Sequence, residues 1–491
     1  MSDAELSIGE GLAALAAADP DRPAVIFGDR MITRAQLEAR TNRLAREYIA
    51  LGVTPDSLVT IGLPNGIEFV EATIATWKAG ATPQPVSDRL PTRERTTIIE
   101  LADPSLVVGV DPSEVGTHVA VPAGHEPDPS LDDGPLEPRI ARSIKAPTSG
   151  GSTGRPKIIV STLPATLFNA NVHQYYTNMV PDGVQLVTGP QHHNGPFMYG
   201  FAGVLIGATI VIMPRFDAAR TLELIEQYRI DWVYAVPTMM SRILALPDEE
   251  RLGRDLSSLQ ILFHMAAPCP PSLKQAYIDW LGADRIWELY GGTEGMMATI
   301  ITGTQWLEHP GSVGIPLGGE LEIRDTDGNV VGPDVTGHVW MRSADHSKPT
   351  YEYIGAESHT ADEGWECLGD IGRLDADGFL YLSDRETDMI VVGGSNVYPA
   401  EVEAALAEHP AVSEACVIGL PHEDKGSAPH AILNLVEPVT DAELVTHLRE
   451  RLVGYKLPVS FERLDEPLRD DAGKVRRSAL RADRLAGAAT A

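Results

Sequence analysis

Cysteine is scarce in this chain. Its 491 residues include three, Cys269, Cys367 and Cys416, far apart and without a CxxC pair. That argues against a disulfide framework or a zinc site and for a reducing compartment. Positive charge is also short: 39 Lys and Arg stand against 69 Asp and Glu, a formal net charge of −30. A sequence-independent nucleic-acid binder needs the opposite balance, because its affinity comes from neutralising phosphates. The same excess disfavours docking on anionic membranes. An anionic substrate would therefore have to be met by locally placed cations. Long apolar runs are missing too. The most apolar stretch, 197–213, is broken by Gly200, Gly203 and Gly207 and is short for a membrane span. It reads as a buried helix feeding a buried strand. Residues 1–22 carry acids and no basic leader segment, so no signal peptide is expected and a cytoplasmic location is.

With 43% hydrophobic and 22% charged residues, the chain reads as a soluble globular protein of two or three folding units. Val- and Ile-rich runs at 58–63, 184–188, 208–213, 232–236 and 261–264 read as buried strands. Helical patterns at 66–79, 220–228 and 271–281 alternate with them, which predicts α/β layers around a mainly parallel sheet. Past Gly311 the strands shorten and turn signals such as Asp327-Gly328 and Asp377-Gly378 crowd in, predicting a β-rich subdomain. A charged tract, Asp384 to Asp388, then leads to a small α+β unit with helices at 400–407 and 441–452 and strands at 412–418 and 431–435. The expected organisation is a large N-terminal domain over 1–384 and a small mobile C-terminal domain over 385–491. The Pro/Asp/Gly-rich stretch 123–138 reads as an exposed loop.

The strongest local motif runs Thr148-Ser149-Gly150-Gly151-Ser152-Thr153-Gly154-Arg155-Pro156-Lys157. Three glycines free successive backbone N–H groups, four hydroxyls add donors, and two cations supply charge. Such a segment suits a polyphosphate. It is not a Walker loop, since no Gly-Lys-Ser/Thr closes it.

This motif continues through Tyr290-Gly291-Gly292-Thr293-Glu294, Gly311-Ser312-Val313-Gly314, Leu368-Gly369-Asp370, the Arg385 to Glu403 segment and Ala472-Gly473-Lys474. In this order and spacing, over nearly the whole chain, the sequence resembles the adenylate-forming superfamily of acyl-CoA synthetases, nonribosomal adenylation domains and luciferases. The chemistry is legible in the residues themselves. A carboxylate attacking the α-phosphate of ATP is an anion approaching an anion, so charge must be neutralised there and on departing pyrophosphate. Glu294 is a candidate Mg²⁺ ligand, and Thr293 a donor to the α-phosphate. The resemblance implies an adenine face at Tyr290, an adenine pocket lined by Ala266-Ala267-Pro268, and ribose binding at Asp370, joined by Arg385.

Lys474 lies in a Gly-Lys-Val-x-Arg-x-x-Leu context that matches the family's catalytic lysine motif. The resemblance implies that its ammonium bridges the incoming carboxylate and the α-phosphate. It also implies that rotation of the C-terminal domain withdraws this lysine and opens a thiol tunnel. Gly393-Gly394 falls where that tunnel needs a residue without a side chain. Two positions depart from the pattern: the pivot is Thr387 or Asp388, and Lys425 replaces a common aromatic. Lys425 either attracts a CoA phosphate or signals another acceptor.

The acid pocket corresponds to Gly189-Pro190-Gln191-His192-His193-Asn194-Gly195-Pro196-Phe197. His193 aligns with the gating position, the alternative being a core histidine satisfied by backbone. Asn194, Phe197, Met198 and Thr238 are expected to line the pocket, with Gly291 allowing close approach. This mix suits an aromatic or cyclic apolar acid. The motif variants look most like the branch of bile-acid and aryl-acid CoA ligases, which predicts an AMP-forming ligase using ATP, Mg²⁺ and CoA on an aromatic or polycyclic carboxylic acid. That branch also resembles ATP-dependent diazotases, which adenylate nitrite for capture by an aryl amine. Loading of a carrier protein is a further alternative. A nucleotide-binding protein without turnover is disfavoured by the joint presence of Lys157, Glu294, Asp370, Arg385 and Lys474. Homodimers are frequent among similar enzymes, by analogy alone.

Overall fold

The computed structural model describes residues 6–150, 156–172, 174–358, 362–392, 395–422, 426–470 and 473–489. Its largest sheet has nine strands; the predicted runs at 184–188, 208–213, 232–236 and 261–264 supply inner members, while the run at 58–63 lies in a second sheet. In spatial order the nine are Ile315–Leu317, Ala298–Thr302, Ile286–Gly291, Ile261–His264, Trp232–Ala235, Val184–Val187, Thr209–Ile212, Pro23–Phe27 and Arg30–Thr33. Pairing is parallel from Ile286–Gly291 to Pro23–Phe27 and antiparallel toward both edges. Runs buried on both faces lose the polar alternation of a one-sided strand. Trp232–Ala235 and Ile261–His264 are buried at every position.

That second sheet orders Thr82–Pro85, Leu58–Ile61, Leu106–Val108 and Ala120–Val121, all parallel. Two helices sit in the core between the sheets. Ile67–Lys78 is buried at every residue but Glu68, and Asn194–Leu205 at all but its first two. One apolar cluster joins Val59 and Ile61 of the small sheet to Val187 and Ile210 of the large one through Phe69, Ile74, Trp77 and Phe201. Such all-round hydrophobic helices belong inside a layered fold rather than on its surface. The apolar stretch around Phe197 is thus a buried helix followed by a strand. Among the described residues, no helix is long and apolar enough to cross a membrane.

The β-rich subdomain is an antiparallel sheet of Gly319–Arg324, Gly337–Ser343, Glu366–Leu374 and Leu380–Arg385. A three-stranded sheet pairs Thr148–Gly150 and Tyr351–Ile354 with Pro156–Ser161 between them. It pairs the two flanks of the glycine-rich segment with each other and sets the later flank beside Tyr351–Ile354. Residues 123–138 carry no helix or strand.

The C-terminal unit packs Ile390–Val392, Ser395–Val397, Val412–His422, Gly426–Leu435 and Ser460–Arg463 in one sheet. Its own core unites Val402, Leu406, Val417, Leu433, Leu444 and Leu448 from this sheet and the helices Pro399–Ala407 and Asp441–Arg449. A capping box of Thr440 and Glu443 starts the second helix. The architecture is mixed α/β, with a large N-terminal part and a smaller C-terminal one.

Candidate active site

The parallel strands end at a cleft, the usual place for ligands in such sheets. The C-terminal unit covers it, enclosing about 3350 Å³. Thr148, Lys157, His193, Asn194, Thr238, Ala266, Ala267, Pro268, Tyr290, Gly291, Thr293, Glu294, Asp370, Arg385 and Lys474 all line it. Most of the candidate site is therefore gathered from distant sequence into one space. Ser149 and Gly150 belong to the strand Thr148–Gly150 at its edge. Gly151, Ser152, Thr153, Gly154, Gly393, Gly394 and Lys425 lie outside the described residues.

The strand Ile286–Gly291 carries Tyr290 and delivers the Gly292–Glu294 turn at its end. The Tyr290 hydroxyl donates to Asp370 Oδ2 at 2.6 Å, and Arg385 Nε donates to Asp370 Oδ1 at 3.2 Å. Burial, then the Asp370 carboxylate, push the Tyr290 phenol well above its ordinary range, so it stays a protonated donor. Strand pairing sets Asp370 opposite Arg385, which fixes that ion pair.

Glu294 is the hub of the opposite side. Its Oε1 accepts from the Tyr353 hydroxyl at 2.6 Å and lies 3.5 Å from Lys157 Nζ, while Thr350 Oγ1 donates to its main-chain carbonyl at 3.0 Å. Lys157 Nζ also sits 3.9 Å from the centre of the Tyr353 ring. Sequence reading missed Tyr353. The signal available was the aromatic alternation Tyr351-Glu352-Tyr353, but nothing local ties it to Glu294. A carboxylate held by one phenol and one distant ammonium suits an oxygen-preferring divalent cation such as Mg²⁺.

Ala266 leaves the strand Ile261–His264 with φ +76°, a left-handed conformation that favours glycine. The strain turns Ala267 and Pro268 along the cleft wall.

Lys474 enters from the C-terminal unit. Gly473, at φ +76°, permits the turn that precedes it, and a side chain there would meet Val236 and Thr238 within 3.3 Å. The lysine loop is therefore docked on the large part of the molecule. Lys474 lines the cleft while itself remaining exposed. Desolvation lowers its pKa from the usual lysine value, Asp470 opposes that, Arg385 adds to it and Glu294 opposes it. A second link crosses the same interface, Arg242 Nη2 to Glu414 Oε1 at 2.8 Å.

His193 precedes the helix Asn194–Leu205, and its ring lies 4.4 Å from that of His192. Burial first, then His192 and Lys474, hold its pKa well below the ordinary histidine value, so the imidazole is neutral. Two expected pocket residues are placed elsewhere. Phe197 packs edge-on against Phe69 and Trp77 and is 2% exposed, and Met198 joins the same core. Their turn of the helix faces the inter-sheet layer, while only the helix start reaches the cleft. Tyr234, unnoticed in the sequence, takes part of that wall, its hydroxyl so close that a side chain at Gly195 would lie 2.7 Å from it.

Comparison with known proteins gives the family and the fold. The family model described as AMP-binding enzyme matches residues 12–349, and the AMP-binding enzyme C-terminal domain matches 401–474. The 2-succinylbenzoate–CoA ligase of Bacillus licheniformis is 30% identical, covering 94% of this chain and 97% of its own. A feruloyl-CoA synthase of Amycolatopsis sp is 31% identical, covering 94% and 96%. The o-succinylbenzoate CoA synthetase of Bacillus subtilis, solved with its acyl-adenylate intermediate, superimposes with a TM-score of 0.82 at 28% identity, over 96% of this chain and 97% of that one. The same enzyme solved with ATP and a magnesium ion gives 0.82 at 29%, over 96% and 98%. The chain belongs to the AMP-binding enzyme family of adenylate-forming proteins.

Proposed function

We propose that this protein is an AMP-forming acid–CoA ligase acting on an aromatic or polycyclic carboxylic acid. One observation carries the reading: Lys474, on the C-terminal unit, stands in the same cleft as Glu294, Asp370 and the neutral His193. In the first half-reaction a carboxylate oxygen attacks the α-phosphorus of ATP and the bond to pyrophosphate breaks, leaving acyl-AMP. Lys474 contributes the cation between the two anions as they approach. Thr293 donates to the α-phosphate, and Lys157 with the Thr148–Gly154 segment takes the outer phosphates. Tyr290 and Ala266–Pro268 hold adenine, and Asp370 with Arg385 holds the ribose. Glu294 would bind Mg²⁺, which supplies further neutralisation of the triphosphate charge. In the second half-reaction the CoA thiol attacks the acyl carbon, giving the thioester and AMP.

The acid enters beside His193, Asn194, Thr238 and Gly291. Tyr234 completes an apolar wall with a polar tip, which suits an aromatic acid. The acid classes named for the relatives, succinylbenzoate and ferulate, are aromatic as well. Domain rotation between the halves would pivot at Thr387. Arg385 is bound to the large part through Asp370, and Asp388 to the small unit through Arg477 at 3.1 Å, which leaves Thr387 as the joint between them. Nothing among the relatives named above favours nitrite as the substrate.

The test is incubation with Mg-ATP and a panel of aryl, bile and fatty acids, with and without CoA, plus nitrite with an aryl amine. AMP and product masses are read by mass spectrometry. CoA-dependent AMP release with an aryl thioester mass is expected. AMP formed only with nitrite and amine, indifferent to CoA, would overturn the thioester reading.

A further inference from the structure

Lys145 lies between Ile144 and Ala146, just ahead of the glycine-rich segment, in a stretch where its neighbours are fully buried. It is itself 9% exposed. A lysine at that depth ordinarily has a carboxylate partner. Elsewhere in this chain that holds: Lys78 is paired with Glu38, and Lys274 with Glu288. Lys145 is different. Among the described residues its Nζ donates to the side-chain oxygen of Asn194 and, at 3.5 Å, to the main-chain carbonyl of Thr293, with no carboxylate in ion-pair contact. Burial pushes its pKa down to about 8, partly opposed by the field of Glu294.

The two acceptors belong to the two walls that must meet on the reacting acid. Asn194 opens the helix beside His193, and Thr293 lies in the turn that carries Glu294. Both line the cleft, and Lys145 lies behind them. We propose that Lys145 is a positioning residue for adenylation, clamping the Asn194 wall to the Thr293 turn and setting the gap between acid carboxylate and α-phosphate. Its uncompensated charge also stands behind an anionic substrate, where a low local dielectric makes it felt. Reactions that depend on such a near-attack gap lose about 100-fold for a misplacement of about 1 Å. The inference rests on the acid–CoA ligase reading.

Full-length Lys145→Met, of similar length but neutral, is compared with wild type on an acid from the panel above. Acyl-adenylate formation, AMP affinity and thioester formation from supplied acyl-adenylate and CoA are each measured. The expected result is a fall in adenylate formation of about 100-fold, by the same near-attack argument, with a raised KM for the acid. AMP affinity and the thioester step stay at wild-type levels. Lys145→Ala recovers adenylation on addition of methylammonium but not tetramethylammonium, which keeps the test decisive if Lys145→Met fails to fold. Wild-type adenylation by Lys145→Met, parallel loss of AMP affinity, or no recovery with methylammonium would overturn the clamp alone. A wild-type protein that adenylates no acid would overturn the ligase reading and the clamp together.

Discussion

Tyr353 donates its hydroxyl to Glu294 Oε1 at 2.6 Å, so the carboxylate offered to a divalent cation is aimed by a phenol from a different sheet. A hydrogen bond to a charged group contributes about 1.5 kcal/mol or more. Tyr353→Phe should therefore raise the KM for Mg-ATP about tenfold while leaving the KM for the acid unchanged. Initial rates at varied Mg-ATP check this. An unchanged Mg-ATP dependence would remove Tyr353 from the site.

Ala266 occupies a left-handed conformation that costs a non-glycine residue about 1 kcal/mol or more. Ala266→Gly should recover part of that strain, offset by the greater backbone freedom of glycine in the unfolded chain. The net expectation is a thermal midpoint equal to or slightly above wild type, with the KM for ATP retained. A clear fall in the midpoint would show that the methyl group contributes packing that outweighs the strain.

The central strands of the large part are legible from their apolar runs, whereas Pro23–Phe27, Thr82–Pro85, Leu106–Val108 and the helix Arg34–Ala50 went unread. Ile261–His264, Trp232–Ala235 and Pro271–Leu281 follow the apolar periods to within a residue, because burial on both faces leaves an unbroken Val/Ile/Leu signature. Lys474, Asp370 and Glu294 are legible because each sits in a short contiguous motif. Tyr353 and Lys145 are not, since their roles arise from contacts to residues about 60 and 150 positions away, which no local pattern encodes. Phe197 and Met198 fail for a related reason. Adjacency to His193 puts them in the right helix, but which face meets the cleft is decided by how Phe69 and Trp77 pack.

Arg242 and Glu414 join the helix Pro237–Leu244 to the strand Val412–His422 and so favour the orientation with Lys474 in the cleft. Arg242 is 44% exposed, and a pair of that kind contributes no more than about 1 kcal/mol. Arg242→Ala should slow adenylation up to about fivefold and leave the thioester step from supplied acyl-adenylate unslowed. Single-turnover rates of the two halves separate these effects. Equal slowing of both would contradict an orientation-specific contact.

Desolvation lowers the Lys474 pKa, and its role requires the protonated form. Adenylation should therefore be complete at neutral pH and fall as pH rises, with a midpoint below the ordinary lysine value of 10.5. Lys474→Arg should move that alkaline limb upward, whatever its effect on the maximal rate, because guanidinium stays charged. A pH profile of acyl-adenylate formation checks the limb, and a limb that ignores the substitution would assign it to another group.

The most direct measurement separates the two half-reactions in Lys474→Ala. The account predicts that acyl-adenylate formation from acid and Mg-ATP falls by about 100-fold or more, the scale of lost transition-state electrostatics. Conversion of supplied acyl-adenylate and CoA to thioester should continue near the wild-type rate. Retention of adenylation, or equal loss of both halves, would contradict the claim that this lysine acts in the first half-reaction from the docked C-terminal unit.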